Sequence, residues 1–206
     1  MTIEQKVAHA LLKIGAVGFV SDNPITFKSG IVSPVYVDNR KLPSCPTEWK
    51  IIIESFAKIV KKEKIKLDVI AGVEAAGIPH SAALGFFMNK PSVFVRKETK
   101  DHGTKRMVEG GSVLNKNVLL IEDLVTTGGS SLRAVENLRK AGAKVNNCLV
   151  IVGYDFPSAR QAFIEAKVKL HTLSSFPVIL DEARKLGMIE GDKLKKVEDW
   201  LKEYTK

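Results

Sequence analysis

The sequence predicts an α/β fold: an open, mostly parallel twisted sheet flanked by helices, with a small hood from the N-terminal region. Three observations carry this. Short β-branched apolar runs alternate with helical patterns from residue 47 onward, the order that builds βα units. One run, residues 118–121, is apolar without interruption, as in a strand buried on both faces of a parallel sheet. That run then meets Glu122 and Asp123 and a polar Thr/Gly/Ser loop, the kind of junction that lies at the carboxyl end of a strand, where open sheets bind ligands.

Taken in order, Ile3, Val7, Ala10, Leu11 and Ile14 fall at helical spacing, and Gly15 and Gly18 are expected to end that first helix. Residues 27–38 alternate with β-branched residues and predict a hairpin, with Lys28 in its turn. Residues 47–60 place Trp49, Ile52, Ile53, Phe56, Ile59 and Val60 on one broad helical face, with Thr47 as N-cap. Residues 67–73 read as a strand, followed by a turn of small residues (72–78) and a helix over 79–88. Residues 92–96 form a further strand. The stretch 96–106 is long, polar and without apolar period, which in a compact chain marks a working loop such as a mobile lid. After the central motif, Leu132, Val135, Leu138 and Ala141 line a helix ending at Gly142. A strand over 145–154, a short helix over 158–166, a strand over 170–173 and two amphipathic helices (178–186 and 192–204) complete the chain.

The central stretch carries the chemistry. Two carboxylates beside a core strand are costly to bury without partners. Gly128 and Gly129 permit a tight turn, and the hydroxyls of Thr126, Thr127 and Ser130 join helix N-terminal amides as donors for a phosphate. Carboxylates next to a phosphate nest make sense when they hold ribose hydroxyls or a magnesium shell. The site therefore suits a phosphorylated sugar. It is not an ATP-type loop, because no Gly-Lys-Ser/Thr follows the glycines, and it is not a Gly-x-Gly-x-x-Gly turn.

Composition narrows the classes. No apolar run approaches the roughly 18 residues that span a bilayer, and the N-terminus lacks a signal-peptide pattern, so no membrane role is expected. Cys45 and Cys148 stand far apart with no partner at metal-ligand spacing, which points to a reduced, cytoplasmic protein. The net charge of +9 invites nucleic acid, but the lysines are interleaved with glutamates on predicted helices. Solvated helix faces and an anionic small substrate account for it instead.

The motif resembles the phosphoribosyl-diphosphate (PRPP) signature of type I phosphoribosyltransferases. With two further stretches the resemblance narrows to the orotate phosphoribosyltransferase family and covers nearly the whole chain. These are the hairpin from Phe27-Lys28-Ser29-Gly30 to Ser33-Pro34 and Tyr36, and the loop with Arg96, Lys97, Lys100, Asp101, His102 and Gly103. The resemblance implies a single domain, with 1–45 mainly hood, 46–175 the PRPP-binding core and 176–206 C-terminal helices. It implies transfer of a phosphoribosyl group from PRPP to orotate with Mg²⁺ held mainly through PRPP, in a homodimer whose lid reaches the neighbouring site. By resemblance Glu122 and Asp123 hold the ribose hydroxyls, while Leu124, Val125, Thr126, Thr127, Gly128, Gly129 and Ser130 wrap the 5-phosphate. Arg96, Lys97, Lys100 and His102 engage the diphosphate, with Lys100, His102 and Asp123 as the catalytic set. Lys28, Tyr36, Thr126 and Arg160 serve the orotate side.

Two positions depart from the family pattern. Ala76 stands where many members carry Lys. Phe156 stands where many carry an Arg that grips orotate's carboxylate, leaving Arg160 or another donor to replace it. The alternatives are a phosphoribosyltransferase for another nucleobase and a non-catalytic PRPP-binding regulator.

Overall fold

The computed structural model describes residues 1–20, 24–27, 29–97 and 107–205. Its centre is a six-stranded sheet in the order β10 (Lys169–Ser175), β9 (Lys144–Gly153), β8 (Asn117–Val125), β5 (Val69–Val73), β6 (Ser92–Val95), β7 (Val108–Glu109). All neighbours are parallel except β7, which closes the edge antiparallel to β6. The apolar runs build it because alternate residues go to opposite faces. Ile70, Leu119, Ile121, Leu149 and Ile151 belong to one core, and Val69, Ala71, Leu120, Cys148 and Val150 to the other.

The first core is covered by α1 (Ile3–Lys13), α2 (Pro46–Lys62), α3 (Gly77–Met88), α6 (Phe176–Lys185) and α7 (Gly191–Thr205). The second is covered by α4 (Gly129–Lys140) and α5 (Pro157–Glu165). From β5 the chain passes through α3 to β6 on one side, then returns to β8 on the other. The order therefore reverses between β5 and β8, and the crevice at their carboxyl ends is where a doubly wound sheet binds ligand.

The hood consists of two small antiparallel ribbons, β1 (Val17–Phe19) with β4 (Val35–Val37) and β2 (Ile25–Thr26) with β3 (Val32–Ser33), followed by a 3-10 helix over Asn39–Ser44. Gly18 is thus a strand residue rather than a helix stop. A Cβ there would stand 2.0 Å from Tyr36 Cε1, so the ring of Tyr36 lies across it. Thr47 is not the N-cap of α2. Cys45 holds that place without a side-chain bond, because Pro46 at the first helical position already supplies the right φ and lacks an N–H to satisfy. The segment assigned to the hood also yields α1, which packs on α6 and β10, with His9 Nε2 2.6 Å from Glu182 Oε2.

Isolated two-stranded ribbons are marginal in water, and the C-terminal helix holds this one. Trp200 Nε1 donates to the Val32 carbonyl (2.9 Å), and its ring meets Phe27, Tyr154, Phe156 and Phe176 edge-on at 5.8–6.5 Å. Phe27 in turn packs on Tyr154 with ring centres 5.4 Å apart. Among the described residues no helix is long and apolar enough to cross a membrane.

A buried histidine gives the fold an acid limit. Trp49 Nε1 on α2 donates to His80 Nδ1 on α3 (2.9 Å), so the imidazole proton sits on Nε2. Burial lowers the His80 pKa from 6.5 to about 4. The folded value lies below the unfolded one, so this contribution is complete above pH 6.5 and is lost as pH falls toward about 4. We expect a loss of about 3 kcal/mol over that window. Urea unfolding of the parent and His80→Gln tests it: a pH-independent difference between them would remove His80 from the account.

Candidate active site

β8 does not end at Ile121 as its apolar run suggests. It continues to Val125, because β9 extends the ladder through Glu122–Val150, Leu124–Val152 and Val125–Gly153. The two carboxylates are therefore strand residues at the crevice. Glu122 is 4% exposed and Asp123 half-buried, and the Asp123 amide donates to Glu122 Oε1 at 3.2 Å. Burial first, then the neighbouring Asp123 charge, drives the Glu122 pKa well above the ordinary carboxylate range. Burial also raises Asp123, while its shared hydrogen bond with Glu122 and the Lys97 charge oppose the rise. Of the pair, Glu122 is the one that ionises at the higher pH. Two adjacent acids pushed up in a crevice mark a functional site.

Past Val125 the loop wraps a cavity of about 230 Å³ lined by Leu124 through Ser131, with Arg133 and Ser29. Gly128, at the start of α4, has φ +83, and a Cβ there would lie 2.8 Å from Phe163 Cε2. Both facts demand glycine. The first amides of α4 add donors and positive dipole at the same end. Sequence reading found this loop but not Ser29 and Arg133. Ser29 arrives only because the hood hairpin folds over the loop, and Arg133 lies one turn into α4, a position that its own pattern could have flagged.

At the end of β5 a second turn faces the crevice. A Cβ on Gly72 would meet the Gly77 carbonyl at 2.7 Å, and one on Gly77 would meet the Ile121 carbonyl at 2.6 Å, so backbone approaches backbone with no room for side chains. The Glu74–Ala75 peptide bond in this turn is cis. Glu74 Oε2 accepts from the Lys97 amide (3.0 Å), which ties the start of the polar loop to the turn. Lys97 is exposed, and its charge acts on both Glu122 and Asp123. Arg96 lies beside it, its amide donating to the Met107 carbonyl at 2.8 Å. Lys28, Lys100 and His102 lie outside the described residues.

The orotate-side residues divide. Thr126 belongs to the cavity and Tyr36 stands half-buried in the hood. Arg160 does not join them. It ion-pairs with Asp155 at 3.5 Å and lines a separate cavity of about 390 Å³ with Phe163, Val168 and Thr172. Phe156, at the position of the family's Arg, is 1% exposed and packs on Tyr154, Trp200 and Tyr204. That position is committed to holding α7. Ala76 is the N-cap residue of α3. Among the described residues no three His, Cys, Asp or Glu side chains converge to hold a metal.

A buried glutamate beside a half-buried aspartate, a glycine-bearing anion cradle and a constrained second turn, all at one switch-point crevice, define a phosphoribosyltransferase domain. The profile described as "Phosphoribosyl transferase domain" matches residues 43–180. The chain is 40% identical over 202 residues to an orotate phosphoribosyltransferase of Phocaeicola vulgatus, covering 98% of this chain and 95% of that one. It is 37% identical over 206 residues to one of Listeria monocytogenes, covering 100% and 99%. The solved orotate phosphoribosyltransferase of Aeropyrum pernix superposes with a TM-score of 0.76 at 29% identity, over 89% of this chain and 99% of that one. The chain belongs to the orotate phosphoribosyltransferase family.

Proposed function

We propose that this chain transfers the phosphoribosyl group of PRPP to a ring nitrogen of orotate, releasing diphosphate and orotidine 5′-monophosphate in pyrimidine biosynthesis. The observation that carries the reading is the continuity of buried Glu122 and half-buried Asp123 with the 125–131 cradle on one strand end. In this reading the cradle takes the 5-phosphate, which places the ribose hydroxyls against the two carboxylates. Their negative charge favours the positive ribosyl centre that develops as the bond from the anomeric carbon to diphosphate breaks.

Lys97 and Arg96, at the root of the polar loop, face the departing diphosphate. Lys100 and His102 are assigned the same task on sequence grounds, and Lys28 with Tyr36 and Thr126 the base side. The hard oxygen donors of Glu122 and Asp123 suit Mg²⁺, which would arrive with PRPP and offset the charge of the leaving group. A homodimer sharing its 96–106 loop is part of the reading. The exposed Phe86 and Phe87 at the end of α3 are an apolar pair that a second subunit could cover. A cytoplasmic setting agrees with Cys45 and Cys148 as free thiols, and cell fractionation checks it.

The test is the absorbance change of orotate on incubation with protein, PRPP and Mg²⁺. Consumption is expected, with strong loss in Lys100→Ala. Mixing inactive Lys100→Ala and Asp123→Asn subunits should restore part of the activity if the lid is shared. No consumption by the parent would overturn the orotate assignment. A second reading, transfer to another nucleobase, rests on Phe156 being buried and Arg160 being paired elsewhere, and turnover of uracil or a purine in place of orotate would establish it.

A further inference from the structure

We propose that Asn39 is a positioning residue for the acidic pair: its side-chain amide, seated on the Asp123 carbonyl, sets where the Asp123 carboxylate stands and so how tightly PRPP is held. Asn39 opens the 3-10 helix of the hood and is fully buried. Its Nδ2 donates to the Asp123 carbonyl at 2.8 Å, across 84 positions of sequence. The place matters. The β5–β8 ladder closes at Gly72–Ile121, so Asp123 lies beyond the last β5 partner, on a stretch of β8 that pairs with β9 on one edge and has no strand to support the other. Asn39 supplies that support from the hood.

Two further features argue that the amide is there for the site rather than for packing. Among the described residues Asn39 Oδ1 is buried without a partner, a cost that an apolar residue of similar shape would avoid. The flanking residues also hold the helix start in place: the Asp38 amide donates to the Ala16 carbonyl (2.7 Å), and Arg40 Nε bonds Asp38 Oδ1 (2.6 Å) while its charge reaches Asp123. The hood thus carries an Asp38–Asn39–Arg40 unit whose central side chain alone enters the core. Through it, hood placement and carboxylate placement become one variable.

The inference rests on the reading that Glu122 and Asp123 receive the ribose of PRPP, and the test separates the two. PRPP binding with Mg²⁺ is measured by titration calorimetry, which needs no base, on the parent, Asn39→Asp and Asn39→Ser. Asn39→Asp removes the donor at constant shape. Asn39→Ser leaves room for a water and decides the matter if the aspartate variant fails to fold. Thermal midpoints establish the folded fraction of each. We expect the Kd for PRPP to rise about tenfold or more, the scale of one lost hydrogen bond, and KM for orotate to stay near the parent value. A purely structural role would lower the midpoint and leave Kd of the folded protein unchanged, and that result overturns the inference. Equal weakening of PRPP and orotate overturns it too. A parent that does not bind PRPP overturns the underlying reading, and the inference with it.

Discussion

Asp123→Asn is expected to lower kcat/KM for PRPP-dependent turnover by about 10²–10³-fold, the range for removing one preorganised electrostatic group from a site. The amide keeps the shape of the side chain but replaces an acceptor oxygen with a donor, which faces a ribose hydroxyl badly. It also withdraws one of the two negative charges that favour the developing ribosyl cation. Stability should not fall, because burial already holds the Asp123 pKa up and a neutral amide escapes that desolvation. The pH profile provides a second readout. After burial itself, the Asp123 charge is the next cause raising the Glu122 pKa, so neutralising it lowers that pKa. The acid limb of kcat/KM should therefore shift to lower pH in Asp123→Asn. Activity within about threefold of the parent, or a limb shifted upward, would take Asp123 out of the reaction.

Trp200→Ala is expected to cost about 3–5 kcal/mol of unfolding free energy. The indole is nearly buried among Phe27, Tyr154, Phe156, Phe176 and Tyr204, and its removal opens a cavity where α7, the hood and the end of β9 meet. It also frees the Val32 carbonyl, and with it the hairpin that brings Ser29 to the phosphate cradle. Trp200→Phe keeps a six-membered ring but loses the hydrogen bond and the pyrrole part of the indole, so a smaller loss of about 1–2 kcal/mol is expected there. Denaturant midpoints at constant m-value measure both. A Trp200→Ala loss under about 1 kcal/mol would mean that the hairpin is held by something other than α7.

The elements that were legible in the sequence are those whose signals are local. The 118–121 run, the turn of small residues at 72–78 and the Thr/Gly/Ser loop each announce a conformation through their own residues, and the structure places all three in the same crevice. On sequence grounds the carboxylates argue against a strand interior and shorten β8, and only the partner β9 and the open crevice make them tolerable there. Phe156 and Arg160 show the opposite limit. Spacing made Arg160 the nearest replacement for a missing cation, yet helix α5 turns it onto Asp155 and another cavity, while Phe156 is drawn into the aromatic cluster around Trp200.

By itself the sequence determined the α/β class, the strand that ends in the acidic pair and the loop that follows, because apolar period, glycine and hydroxyl spacing act through neighbours along the chain. Only the tertiary structure decided that the hood's Asn39 would meet Asp123, that Ser29 and Arg133 would share the phosphate cradle, and that the C-terminal Trp200 would pin the hairpin above it. Those contacts join positions 84 to 168 residues apart or depend on which face of a helix meets the site. Such pairings follow from packing of whole layers against one sheet, and no local pattern encodes them.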